Sequence, residues 1–220
     1  MFSLKDRVYY NTTSPTSVCL TVFALSAALG WMLPPDYGKE NGPVELLQVV
    51  VLGLAAAVAV SALFQSNLPP SRRKLYALSS IIWLIAIARE LSWGRTFYVT
   101  SSGSIPPLKT LWFGPLVYPT IGVIVIIAFG YFFTQGLHKE LFSWLKYDTI
   151  PVLDIVIVIA AIFIADMIEH HSLGLFGQRT TLLEELGELV SYCGILSFMI
   201  NIIYNKRFGV KGNHLSSILS

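Results

Sequence analysis

Asp166, Glu169 and His170 stand at i, i+3 and i+4, so on a helix all three share one face, with His171 next in the chain. Glu184 and Glu188 are four apart further on and share a face in the same way. Carboxylate and imidazole groups gathered like this could hold a divalent metal, zinc, manganese or iron, or pass a proton or cation. The Asp-x-x-Glu-His order differs from the Glu-x-x-His of di-iron bundles, and one copy is present. The competing reading is an ion-pair and hydrogen-bond network with Arg89, Arg95 and Arg179 that joins helix ends. Glu45 and Glu90 belong to the same polar group.

The elements that must carry these residues are membrane spans. Of 220 residues 54% are hydrophobic and 13% charged, against about 25% charged in a soluble domain. So little polar surface cannot cover a water-soluble fold of this size. Six stretches approach the ~20 apolar residues needed to cross a bilayer: 16–33, 44–64, 75–92, 116–133, 152–168 and 183–204. Pro34-Pro35, Pro69-Pro70, Pro106-Pro107 and Pro151 break the chain between them. Pro119 falls inside the fourth stretch, where a kink is expected. No stretch alternates with period two, which argues against a β-barrel. The expected fold is all-α, a single polytopic membrane helix bundle of about six transmembrane helices. The first run follows a long polar segment and reaches Trp31, so it is expected to remain as a span and not to be cleaved as a signal peptide.

Orientation follows from lysine and arginine in the short loops. With the N-terminus in the cytoplasm, ten fall inside: Lys5, Arg7, Arg72, Arg73, Lys74, Lys139, Lys146, Lys206, Arg207 and Lys211. Five fall outside: Lys39, Arg89, Arg95, Lys109 and Arg179. Both ends are then cytoplasmic, in a multi-pass membrane protein. Nine of the thirteen acidic residues lie at the outer side, a bias that the topology argument did not use. Gly136 to Asp148 reads as an amphipathic helix on the inner leaflet, with Leu137, Leu141, Trp144 and Leu145 on one face.

Several carboxylates have a purely structural reading. Glu45, Glu184 and Glu185 begin spans, where the helix dipole favours an anion, and Thr181 with Glu184 fits a capping box. Asp154 likewise reads as an acid at a helix N-terminus; a relay from it to Asp166 is interrupted by the apolar run from Ile155 to Ala165. Glu90, Asp166 and Glu169 close helices, where the dipole disfavours them, so each needs a partner or a role. Cys19 and Cys193 lie in apolar runs and read as inert buried thiols.

The run Arg89-Glu90-Leu91-Ser92-Trp93-Gly94-Arg95, with Glu40 to Glu45 and Leu183-Glu184-Glu185-Leu186, resembles a family of uncharacterised bacterial inner-membrane proteins. In that family an Arg-Glu-hydrophobic-Ser-Trp-Gly box closes a span. The resemblance implies a multi-pass membrane fold and no particular activity. Known enzyme patterns are absent: no paired-glutamate motif with arginine, Gly-x-Ser-x-Gly, HExxH, phosphate-binding glycine loop or Cys-x-x-Cys. A net charge of +2 without a basic tract gives nucleic-acid binding no support. The expected partners are the lipid bilayer and other membrane proteins. The leading expectation is a non-enzymatic envelope or accessory protein whose acidic/His cluster is structural. Two alternatives stand beside it: a cation- or proton-linked carrier or channel, and a metal-dependent membrane enzyme acting on a lipid or envelope substrate.

Overall fold

The computed structural model describes residues 8–9, 12–98, 100, 105–171 and 175–205. Lys5, Arg7, Lys206, Arg207, Lys211 and His214 lie outside the described residues, as does the His171 side chain. Seven α-helices carry the described chain: α1 Ser14–Met32, α2 Pro43–Ser61, α3 Pro70–Glu90, α4 Gly114–Thr134, α5 Leu137–Tyr147, α6 Val152–His171 and α7 Thr180–Tyr204. One two-residue parallel pairing, β1 Val8–Tyr9 with β2 Ile150–Pro151, ties the start of the chain to the entry of α6.

Proline starts several of these helices. α1, α2, α3 and α4 each carry one at the first or second position, where its missing N–H is not needed. Thr13 caps α1 by accepting from Thr16 N at 3.3 Å. α3 begins at Pro70, five residues before the expected start, because Pro70 at its first turn initiates the helix and Arg72, Arg73 and Lys74 continue it. α4 runs unbroken through Pro119.

Four helices are long and apolar enough to cross a membrane: α1, α2 continued by Ala62–Phe64, α4, and α7 with the preceding turn. α3 with Ser92–Tyr98, bent by 41°, makes a fifth candidate. α6 is of similar length but carries Asp154, Asp166 and Glu169. At 1.5 Å per residue these helices run about 28–38 Å, the thickness of a hydrocarbon core.

α7 is the central element and packs against α1, α2 and α6. Leu182, Leu186 and Leu189 meet Val44 and Val51 of α2; Val190 meets Cys19 of α1 and Ile157 and Ala161 of α6. Met199, Ile202 and Ile203 complete a third cluster with Ala59, Tyr76 and Trp144. Glycines let α6 and α7 approach closely: a Cβ on Gly187 would lie 3.0 Å from Ala165 Cβ, and one on Gly194 2.6 Å from Val158 Cγ2.

α4 is the opposite case. Of its residues only Gly114 is buried, and Ile126, Ile127 and Phe129 are 72%, 66% and 63% exposed. An apolar face of that extent suits hydrocarbon and not water.

The amphipathic helix α5 packs one side into the protein. Its apolar residues do not form one lipid-facing side: Leu137 and Trp144 are buried in the protein, while Phe142 and Leu145 face out. The reason is Arg72, which is 2% exposed and donates from Nε to Glu140 Oε1 of α5 at 2.9 Å and from Nη1 to Asp148. Ser71 Oγ adds a bond to Glu140 Oε2 at 2.8 Å. Burial pushes the Asp148 carboxyl above its usual range, and the Arg72 guanidinium pulls it back only in part.

Candidate functional site

The C-terminal ends of α1, α3 and α6 and the N-terminal ends of α2, α4 and α7 gather at one end of the bundle. Most of the acidic residues lie at this acidic end; Arg72, Arg73 and Lys74 mark the opposite, basic end.

Two clasps at the acidic end join α3 to its neighbours. The last residues of α3, Arg89 and Glu90, meet Glu188 and Tyr192, which stand one turn apart on α7. Arg89 Nη2 lies 3.2 Å from Glu188 Oε1, and Arg89 Nε 3.3 Å from Glu90 Oε1. Tyr192 OH donates to Glu90 Oε1 at 2.8 Å. Glu90 is 5% exposed, so its disfavoured position at a helix C-terminus is offset by an arginine and a phenol.

The chain then turns sharply. Ser92, Trp93 and Gly94 have φ of 47°, 58° and 83°, a left-handed run that glycine alone adopts without strain. Glu40 holds it: its Oε1 accepts from Ser92 Oγ at 2.5 Å and from Arg95 Nη2 at 2.9 Å. Trp93 packs edge-on against Tyr118 of α4, with ring centres 6.0 Å apart. The Arg-Glu-Leu-Ser-Trp-Gly-Arg run is thus a helix stop, a clasp to α7 and a turn pinned by Glu40.

Two further clasps end on α7. Gln48, fully buried on α2, donates from Nε2 to Glu185 O and Oε2, both at 2.8 Å. Arg179 donates from Nη1 to the carbonyls of Gly30 and Leu33 at 2.9 and 2.8 Å, capping the C-terminus of α1. Arg179 therefore joins helix ends by hydrogen bonds to backbone oxygens and not by an ion pair, because the end of α1 stands in front of it.

The expected metal-ligand group divides. Asp166, Glu169 and His170 do share a face of α6: His170 Nδ1 lies 3.3 Å from both Asp166 Oδ1 and Glu169 Oε2. All three are more than half exposed. Glu184 is half-buried and close enough to Glu169 and His170 to feel their charge, whereas Glu188 turns to Arg89. Among the described residues no three His, Cys, Asp or Glu side chains come together as a metal ion requires. Glu45 is occupied locally, accepting from the Asn41 backbone N–H. The capping box of Thr181 with Glu184 does not form: the turn Gly177–Arg179 already precedes α7, and no side chain caps it.

Glu40, Gln48, Ser92 and Tyr192 complete the network; Glu40 and Ser92 lie in the segments that carry the resemblance, whereas Gln48 and Tyr192 gave little signal in sequence. Gln48 could have been found as the one amide in an otherwise apolar span.

No protein-family model matches the chain, and no curated protein and no solved structure is similar to it.

Proposed function

We propose that the chain is a non-enzymatic accessory or assembly protein of a bacterial inner membrane. It crosses six times, through α1, α2, α3, α4, α6 and α7, with both ends in the cytoplasm and the acidic end outside. The observation that carries this reading is the use made of the polar groups at the acidic end. Arg89, Glu90, Glu188, Tyr192, Arg95, Glu40, Gln48, Glu185 and Arg179 are all engaged in bonds between elements. A catalytic or transport site needs groups held ready for a substrate, and these are held for one another.

A bare α4 supports the accessory role. Between α3 and α4 lies an open apolar cleft of ≈ 440 Å³, lined by residues such as Ile81, Leu84, Ile85, Val117 and Ile121. Lipid or the helix of another membrane protein suits such a surface.

The test is elemental analysis and thermal unfolding of the detergent-purified protein beside Asp166→Ala/His170→Ala and Arg89→Ala/Glu188→Ala variants. The expected result is no stoichiometric metal and a lower Tm for the second variant alone. Stoichiometric zinc, manganese or iron that the first variant loses would make a metal-dependent enzyme the better reading. Proton or cation flux in proteoliposomes, abolished by Asp166→Ala with the fold intact, would make it a carrier.

A further inference from the structure

α3 and α4 are tied at their ends and part between them. At the basic end Lys74 Nζ of α3 donates to Oε1 of Gln135, the residue that closes α4, at 3.0 Å. At the acidic end Trp93, in the turn after α3, packs on Tyr118 of α4. The open cleft of ≈ 440 Å³ lies along Ile81 to Ala88 of α3 and Leu116 to Ile124 of α4.

Its dimensions choose the occupant. At 1.5 Å per residue the cleft is about 10–12 Å long, and it lies in the acidic half of both helices. One leaflet of hydrocarbon is ~15 Å deep, half of a ~30 Å core. The cleft thus runs from the level of Trp93 most of the way to the midplane and stops within one leaflet. Its volume over that length gives a cross-section of roughly 40 Å². A helix with its side chains is 10–12 Å across, or about 80–110 Å². A helix of a partner or of a second copy would also need the slot to continue through the other leaflet. A hydrocarbon chain is thin enough to lie in it lengthwise.

The lining and the turn above it agree with that occupant. Only Thr120 and the Trp93 indole bring polar side-chain atoms to the cleft, so a ligand with polar groups would bury them there without partners. Trp93 is held in place against its own backbone preference. Ser92 and Trp93 stand at φ 47° and 58°, a left-handed conformation that residues other than glycine seldom adopt. Glu40 pins the turn through Ser92 and Arg95. The turn sets an indole, a side chain suited to the headgroup boundary, at the acidic end of the cleft.

We propose that the α3/α4 cleft is a binding slot for an acyl chain of a membrane phospholipid, from the leaflet at the acidic end, with Trp93 at its mouth. The lipid completes the packing of α4, of which only Gly114 is otherwise buried. This inference rests on the helices crossing a membrane and not on the accessory role, which the polar clasps carry.

The test uses the full-length protein in nanodiscs of phosphatidylethanolamine and phosphatidylglycerol, extracted into detergent, with retained lipid counted by native mass spectrometry. The expected result is one retained phospholipid on the wild type. Its bound fraction should fall about tenfold in Ile85→Trp, which fills the cleft, and stay unchanged in Ile126→Trp on the outward face of α4. A wild type that retains no lipid, or equal retention by Ile85→Trp, overturns the proposal. So does a dimer mass or a bound second protein that Ile85→Trp abolishes, which would give the cleft to a helix. Should Ile85→Trp fail to accumulate, photolysis of the wild type with a phospholipid that carries a diazirine in one acyl chain decides. Labelling concentrated on 81–88 and 116–124 supports the slot, and labelling spread evenly over α4 overturns it.

Discussion

Glu90 shows how burial ranks the contacts of one residue. Arg89 is 58% exposed, so its pairs with Glu90 and Glu188 are screened and contribute roughly 0–1 kcal/mol each. The Tyr192 hydroxyl is the better-shielded partner of a nearly buried carboxylate. Tyr192→Phe is therefore expected to cost about 1–3 kcal/mol, more than Glu188→Ala, in reversible unfolding of the detergent-solubilised protein. A larger loss from Glu188→Ala would show that the exposed pair carries the clasp. The same scale governs the turn at 92–94. Gly94→Ala places a side chain at φ 83° and should cost about 1–2 kcal/mol by the same assay, through backbone strain alone.

Between elements, the firmest polar connection is Arg72 with Glu140 and Asp148. Removing one member of a buried ion pair strands its partners, and Arg72→Ala, which strands two carboxylates, is expected to cost about 3–5 kcal/mol. Asp148→Asn should cost less, because burial already disfavours the charge it removes. Equal losses for the two variants would contradict that order. The α6–α7 contact is set by size instead of charge. Gly194→Ala drives a Cβ to 2.6 Å from the stiff Val158 side chain and is expected to destabilise by about 1–3 kcal/mol. Gly53, with open space around it, is the control position, where alanine should be tolerated.

For the molecule as a whole, the helices are held at both ends by polar clasps and in the middle by small-residue packing, with α4 left outside. The proposed six crossings predict that reporters fused to the N- and C-termini read the cytoplasmic side, and that one placed at Thr100 reads the outer side. Termini on opposite sides would mean that one of the six, α6 with its three carboxylates being the first suspect, does not cross.

Local signals in the chain were enough to establish its helical, membrane-suited character and to place the helices within a few residues. Apolar runs of bilayer length and paired prolines are such signals, and a hydrocarbon surround leaves the backbone little choice but helix. They also marked the acidic end as the place where polar groups collect, and Glu90 as a carboxylate in need of a partner. Which partner each group found depended on how the helices pack. Spacing left two places open for Glu188, beside Asp166 and His170 or paired with Arg89; it turns to Arg89, because helix rotation about its axis is fixed by packing and not by spacing. Arg179 found backbone carbonyls for the same reason. α5 is tied to α3 by Arg72, 68 positions before Glu140. Asp154 is the sharpest case. As a residue near a helix start it is ordinary; only the convergence of α1, α6 and α7 buries it and sets Ser197 and Asn201 against it.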